Sequence, residues 1–175
     1  MLAFVACIGL AFAGAAFYFI EAAALRRWSP WVFRIGAVAV RRQEAVDRPA
    51  GLAGSRSVEV DGVLCRVVDG RCFFRNDSVV DDNDGLHGTI EWSNGTLSTT
   101  GRVPLGILIG WFAWLAGWTV GCVSVMRPGA VMISVAFGLV GWVGGGGIMV
   151  GLWLKGRRVL LADARKVKRA LGVKS

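Results

Sequence analysis

Residues 139–153 read LVGWVGGGGIMVGLW, with four consecutive glycines from Gly144 to Gly147. A run of this kind can cradle a phosphate, link two domains, or let membrane helices approach closely. A phosphate loop needs a strand before it and Lys-Ser or Lys-Thr after it; neither is present. The run also sits inside Gly129 to Leu154, which carries no charge. Such a stretch exceeds the ~20 residues a helix needs to cross a bilayer core. Two more stretches are alike: Leu2 to Leu25, charged only at Glu21, and Val103 to Met126, with no charge. The chain has 175 residues, 54% of them hydrophobic, and a mean hydropathy of +0.55. That is too apolar for an ordinary soluble domain. The expected fold is an α+β membrane protein. Transmembrane helices occupy 1–25, 103–126 and 129–154, a small antiparallel β-meander domain occupies 26–102, and a basic amphipathic tail occupies 155–175.

In the third span Gly141 and Gly145 lie four apart, as do Gly147 and Gly151. The second span offers Gly117 and Gly121, and the first offers Gly9 and Ala13 with Gly14. Small residues at this spacing let helix backbones approach closely. They are the candidate helix-packing positions, within one chain or between chains.

Net charge is +8, unevenly placed. Lys155 to Ser175 holds eight basic residues and one acid, Asp163, which makes +7; the rest holds twelve Arg, eleven acids and no Lys. Arg26 and Arg27 follow the first span, Arg102 precedes the second, and the tail follows the third. The positive-inside rule then sets the N-terminus outside, with the β domain and C-terminus cytoplasmic. The layout resembles that of small bacterial inner-membrane proteins, the expected location. The first span lacks a basic n-region, so it reads as a retained anchor and not as a cleaved signal peptide.

On a helix, Leu160, Ala164, Val167 and Leu171 form one apolar stripe. Arg157, Arg158, Arg165, Lys166, Lys168 and Arg169 occupy much of the remainder. A basic amphipathic helix of this type is expected to lie on anionic headgroups. Nucleic acid is not expected as a partner, because the segment lacks the interleaved aromatics of a stacking surface.

Asp61-Gly62, Asp69-Gly70 and Asn94-Gly95 are each flanked by strand-like residues. Asp-Gly and Asn-Gly tolerate the positive φ angles of a two-residue type I′ turn. The expected pairs are Val60 with Val63, Val58 with Cys65, Val67 with Cys72, Cys65 with Phe74, Trp92 with Leu97, and Ile90 with Thr99. The first two hairpins share a strand, and their registers agree on one apolar face. Cys65 and Cys72 are then diagonal neighbours, a poor disposition for a disulfide, and read as two small buried residues in a reducing compartment. Leu64, Val68 and Phe73 lie on the opposite face, which must also pack on something. Upstream, Trp28 and Trp31 suit a membrane interface. The segment VFRIGAVAV reads as a strand in preference to an interfacial helix, and DRPAGLAGSRS reads as a flexible loop.

Catalytic equipment is sparse. His87 has Asp81, Asp82 and Asp84 nearby in sequence, but no nucleophile in a recognisable setting. A calcium-loop alignment places Val80, which has no ligand oxygen, at the first ligand position. Glu21 lies near the inner end of the first span and is expected to snorkel toward headgroups. No catalytic residue, metal or cofactor is expected. The expected function is a non-enzymatic accessory or scaffold protein. Its β domain binds a protein partner, and its glycine-faced helices associate within the chain or as a homo-oligomer. The alternative is a subunit of an oligomeric pore or transporter.

Overall fold

The computed structural model describes residues 2–76, 85–124 and 131–173. The acidic segment Asp81–Asp84, the turn between the second and third spans, and Lys174 lie outside the described residues. Three helices form: α1 (Leu2–Arg26), α2 (Leu105–Ser124) and α3 (Val131–Ala170). Each contains a window long and apolar enough to cross a membrane. Val103 belongs to the sheet and not to the second helix, because Pro104 separates strand from helix. The basic tail is no separate helix: α3 has 40 residues and runs through it unbroken.

The chain divides into two compact units. The first contains Met1–Ile20 and Leu105–Leu154. Within it, α1 and α2 touch backbone to backbone. A Cβ at Gly14 would stand 2.8 Å from the Gly110 nitrogen, and one at Gly106 would stand 2.6 Å from that of Tyr18. Tryptophans of α2 occupy the next glycine surface. A Cβ at Gly141 would run into the Trp118 indole, and one at Gly145 would stand 2.5 Å from Trp114. The two indoles stack at 5.7 Å. Their polar edges find partners, as apolar surroundings require: Trp118 Nε1 donates to the Phe137 carbonyl at 3.0 Å, and Trp142 Nε1 donates to Thr119 Oγ1 at 2.9 Å.

The second unit contains Glu21–Pro104 and Lys155–Ser175. Six antiparallel strands make one sheet: β1 (Ala37–Ala45), β2 (Arg56–Val60), β3 (Val63–Val68), β4 (Arg71–Asn76), β5 (His87–Ser93) and β6 (Thr96–Val103). Their order is β1-β6-β5-β4-β3-β2. All six expected residue pairs occur in the observed register. Asp61, Asp69 and Asn94 have φ of 48°, 49° and 50°, and each following glycine is also positive. Those angles define the type I′ turn. VFRIGAVAV is a strand only from Ala37; Val32 and Phe33 are buried in the turns before it.

One sheet face presents Val63, Cys65, Val67, Cys72, Phe74, Ile90 and Leu97, each 3% exposed or less. The tail half of α3 covers it. Leu160, Ala164, Val167 and Leu171 are likewise buried. Here the lipid expectation for this stripe is corrected, because the sheet's own apolar face takes it up. Two mid-strand glycines make room. Gly88 and Gly101 pair directly; the Phe74 ring covers Gly88, and Leu160 carbons lie 3.1–3.3 Å from a Cβ placed at Gly101. The far end is tied to the loop after β1. Gly51 N–H donates to the Leu171 carbonyl at 3.2 Å, and Arg56 Nη2 donates to the Gly51 carbonyl at 3.1 Å. The loop expected to be flexible is thus docked, with Leu52 buried.

Residues 21–33 pack on the opposite face as a cluster of Ala24, Leu25, Val32 and Phe33 with Trp28 and Phe73. The turn at Trp28 explains how. Ser29 N–H bonds to the Ala24 carbonyl and Trp28 N–H to that of Leu25, with Trp28 at φ 56°. That is a Schellman cap with tryptophan in the place glycine usually holds. α3 ends in the same motif, with Gly172 at φ +78°. Trp28 therefore stacks on Phe33 at 5.9 Å within the domain, and only Trp31 of the expected interface pair is well exposed.

Candidate functional site

A cleft of about 670 Å³ opens between the β1 end of the sheet and the flank of α3. An irregularity in β1 sets which strand residues face it. The register slips between Val38 and Val40, so that Arg42 opposes Thr99 and Glu44 opposes Leu97. A bulge adds one residue and re-aims the side chains beyond it. Without it, Arg41 would oppose Thr99; with it, Arg42 and Glu44 point to the helix-covered face.

Arg165, Lys166, Lys168 and Arg169 line the cleft from α3, with Leu161, Ala162 and Val173. Lys168 Nζ donates to both carboxylate oxygens of Glu44 at 2.9 Å. Lys166 Nζ donates to the Asp61 carbonyl at 3.1 Å and lies 3.8 Å from Asp163. Arg165 Nε donates back to the Leu161 carbonyl at 3.2 Å. Arg42 and Arg169 form no ion pair among the described residues. Thr99 also lines the cleft and is 2% exposed, and its Oγ1 is buried without a hydrogen-bond partner among the described residues. Beside the cleft, Asp163 accepts a 3.4 Å bond from Asn76 Nδ2. Burial pushes its carboxyl above the ordinary range, against the pull of Lys166 and Asn76.

The opposite face holds a second polar group, fully enclosed. Glu21 and His87 are 0% exposed and Arg75 is 9% exposed. Glu21 does not snorkel; it is packed inside. The Arg75 guanidinium lies over the Trp28 ring at 5.0 Å. His87 Nδ1–H donates to the Gly85 carbonyl at 2.8 Å, which leaves the Nε2 lone pair buried and without a partner among the described residues. Burial pushes the imidazole below its ordinary value, opposed by the Gly85 carbonyl. This histidine meets the Phe33 ring edge-on, not solvent. Among the described residues, no group of three or more His, Cys, Asp or Glu is placed to hold a metal ion.

Other expected positions separate. Gly141 and Gly145 pack within the chain, whereas a Cβ at Gly147 or Gly151 would meet nothing within 4 Å. Gly117 and Gly121 line an apolar cavity of about 630 Å³ between the three helices, with Trp114, Trp118 and Phe137. Gly106 and Gly110, which make the α1–α2 approach, carry the same four-residue spacing in LGILIG and were readable there. Arg157 and Arg158 are exposed outside the cleft. The sulfurs of Cys65 and Cys72 are brought together, which corrects the expectation that diagonal neighbours are poorly placed to bridge; their Cα atoms are 6.4 Å apart. That separation is within bridging reach even for diagonal neighbours.

No protein-family model, curated protein or solved structure matches this chain.

Proposed function

We propose that this is an integral membrane protein, residing in a bacterial inner membrane, that serves as a non-enzymatic accessory or scaffold. The observation that carries this reading is the tail folded onto its own sheet. Tail and sheet share one core, so they occupy one compartment, as the two spans between them allow. The β domain is thereby a folded module joined in one chain to three apolar helices. Its histidine and buried charges face inward, where they fix structure and do not meet a solute. The open Gly147–Gly151 surface of α3 leaves room for another helix, in a second copy or in a larger complex.

The basic flanks favour a cytoplasmic β domain and C-terminus. A Cys65–Cys72 bond favours an oxidising compartment instead. The cytoplasmic reading therefore requires the pair to rest as thiols in the cell. Reporter fusions at Gly54 and at the C-terminus test topology, and both should report cytoplasm. Crosslinking and affinity purification in mild detergent test the scaffold. A strictly monomeric protein with no reproducible partner defeats it.

The pore alternative rests on the apolar cavity among the helices. Against it, the polar groups of Trp118, Trp142 and Thr119 are engaged with one another and with backbone. Liposome flux above that of empty vesicles would favour the pore.

A further inference from the structure

We infer that the cleft between β1 and the tail half of α3 binds a multiply charged phosphate ligand. Such binding needs neither a protein partner nor self-association. The cleft volume, about 670 Å³, falls among small-ligand sites. Five basic side chains line it against one carboxylate, that of Glu44.

Those cations differ in what they are free to do. Lys168 is held by Glu44 and Lys166 by the Asp61 carbonyl. Arg42 and Arg169 form no ion pair among the described residues, and Arg165 engages only its Nε. Planar guanidinium forks from a strand and from a helix thus converge on one space. Such forks suit the paired oxygens of phosphate, where a lone carboxylate would leave the excess charge unbalanced. A buried hydroxyl with no partner is costly and calls for an explanation. Thr99 lines this cleft with its hydroxyl enclosed and unpartnered among the described residues, and an anion seated deeply there supplies the acceptor it lacks. Leu161, Ala162 and Val173 offer an apolar wall for the body of the ligand. Two sources share this chemistry: the headgroup of an anionic phospholipid, and a soluble di- or triphosphate.

The full-length protein in phosphatidylcholine nanodiscs is titrated with pyrophosphate and followed by thermal unfolding. A parallel series incorporates phosphatidic acid into the nanodisc. Arg42→Ala, Arg169→Ala and Thr99→Val are compared with Arg158→Ala, on the same helix outside the cleft. Arg42 and Arg169 are exposed, so their variants should fold with unchanged ligand-free midpoints. Pyrophosphate stabilisation identifies a soluble phosphate; stabilisation by phosphatidic acid alone identifies a headgroup. Either result supports the site if Arg42→Ala and Arg169→Ala each weaken binding about tenfold or more while Arg158→Ala does not. Thr99→Val should raise the ligand-free midpoint and still weaken binding, two opposite movements that a purely structural threonine would not give. No stabilisation by either source overturns the inference. So does a response that Arg158→Ala diminishes as much as the cleft variants.

Discussion

Leu160→Ala should loosen the β sheet, although residue 160 lies far from every strand in sequence. The side chain is 1% exposed and rests over Gly101. The substitution removes three carbons, worth about 2.4 kcal/mol at ~0.8 each. The residual cavity raises the cost to about 3 kcal/mol, inside the usual range for a buried leucine. That is roughly a hundredfold fall in the folding equilibrium of this unit. The converse change is Gly101→Ala. Its methyl would stand 3.1–3.3 Å from three Leu160 carbons, an overpacking cost of about 1 kcal/mol or more. Combined, the two should be less damaging than their sum, by about 1 kcal/mol, since the new methyl enters the vacated space. Hydrogen exchange by mass spectrometry on the intact protein in nanodiscs reads this directly. Protection of the β5 and β6 amides should fall about a hundredfold in Leu160→Ala. Unchanged sheet protection, with weakened retention on anionic vesicles, would refute the packing and return the stripe to lipid.

Gly145→Leu should break the contact with Trp114 and lower the thermal midpoint of the helical unit. Gly147→Leu should leave that midpoint unchanged and, if a helix docks there, convert the oligomer to monomer on native gels. Asp163→Asn should stabilise the protein at pH 7, with the gain vanishing toward pH 4. The sign comes from a carboxyl pKa raised above its ordinary 3.8: the folded state holds the proton more tightly, and loses stability as pH rises through the raised value. His87 has the opposite sense. Its pKa is lowered below 6.5, so stability falls as pH drops below 6.5, with a slope of at most about 1.4 kcal/mol per pH unit that His87→Phe removes; urea midpoints across a pH series measure both. After acid quenching and denaturation without reductant, a maleimide label should reach all four cysteines. Labelling of only Cys7 and Cys122 would put the sheet in an oxidising compartment.

Local chemistry made the hairpins legible. Asp-Gly and Asn-Gly demand positive φ, and the alternation around them permits a single register. The tail was half legible: its stripe declares burial but carries no sign of what buries it, and lipid and sheet satisfy it equally. The complementary clue lay in Gly88 and Gly101, mid-strand glycines that mark a close approach. Trp28 gave no warning, because a helix stop in the left-handed region is announced by glycine, as at Gly172. The cleft was hidden for a different reason. Arg42 faces it only because of a one-residue bulge, and alternation alone would have turned Arg41 there. The burial of Glu21 was not legible because its short distance in sequence to Arg26 points to headgroups, whereas the chain turns at Trp28 and Glu21 is 0% exposed.

The union of sheet and tail also orders events during synthesis. The strands leave the ribosome first, and Val63, Val67, Ile90 and Leu97 then stand uncovered while two apolar helices are still being made. Residues 155–173 bring the cover. In a membrane, a chain in which one of α2 and α3 crossed without the other would strand that cover on the wrong side. The sheet would stay open to proteases and chaperones. Completion of the domain thus depends on the tail returning to the sheet's side, and removing residues 155–173 would uncover the sheet.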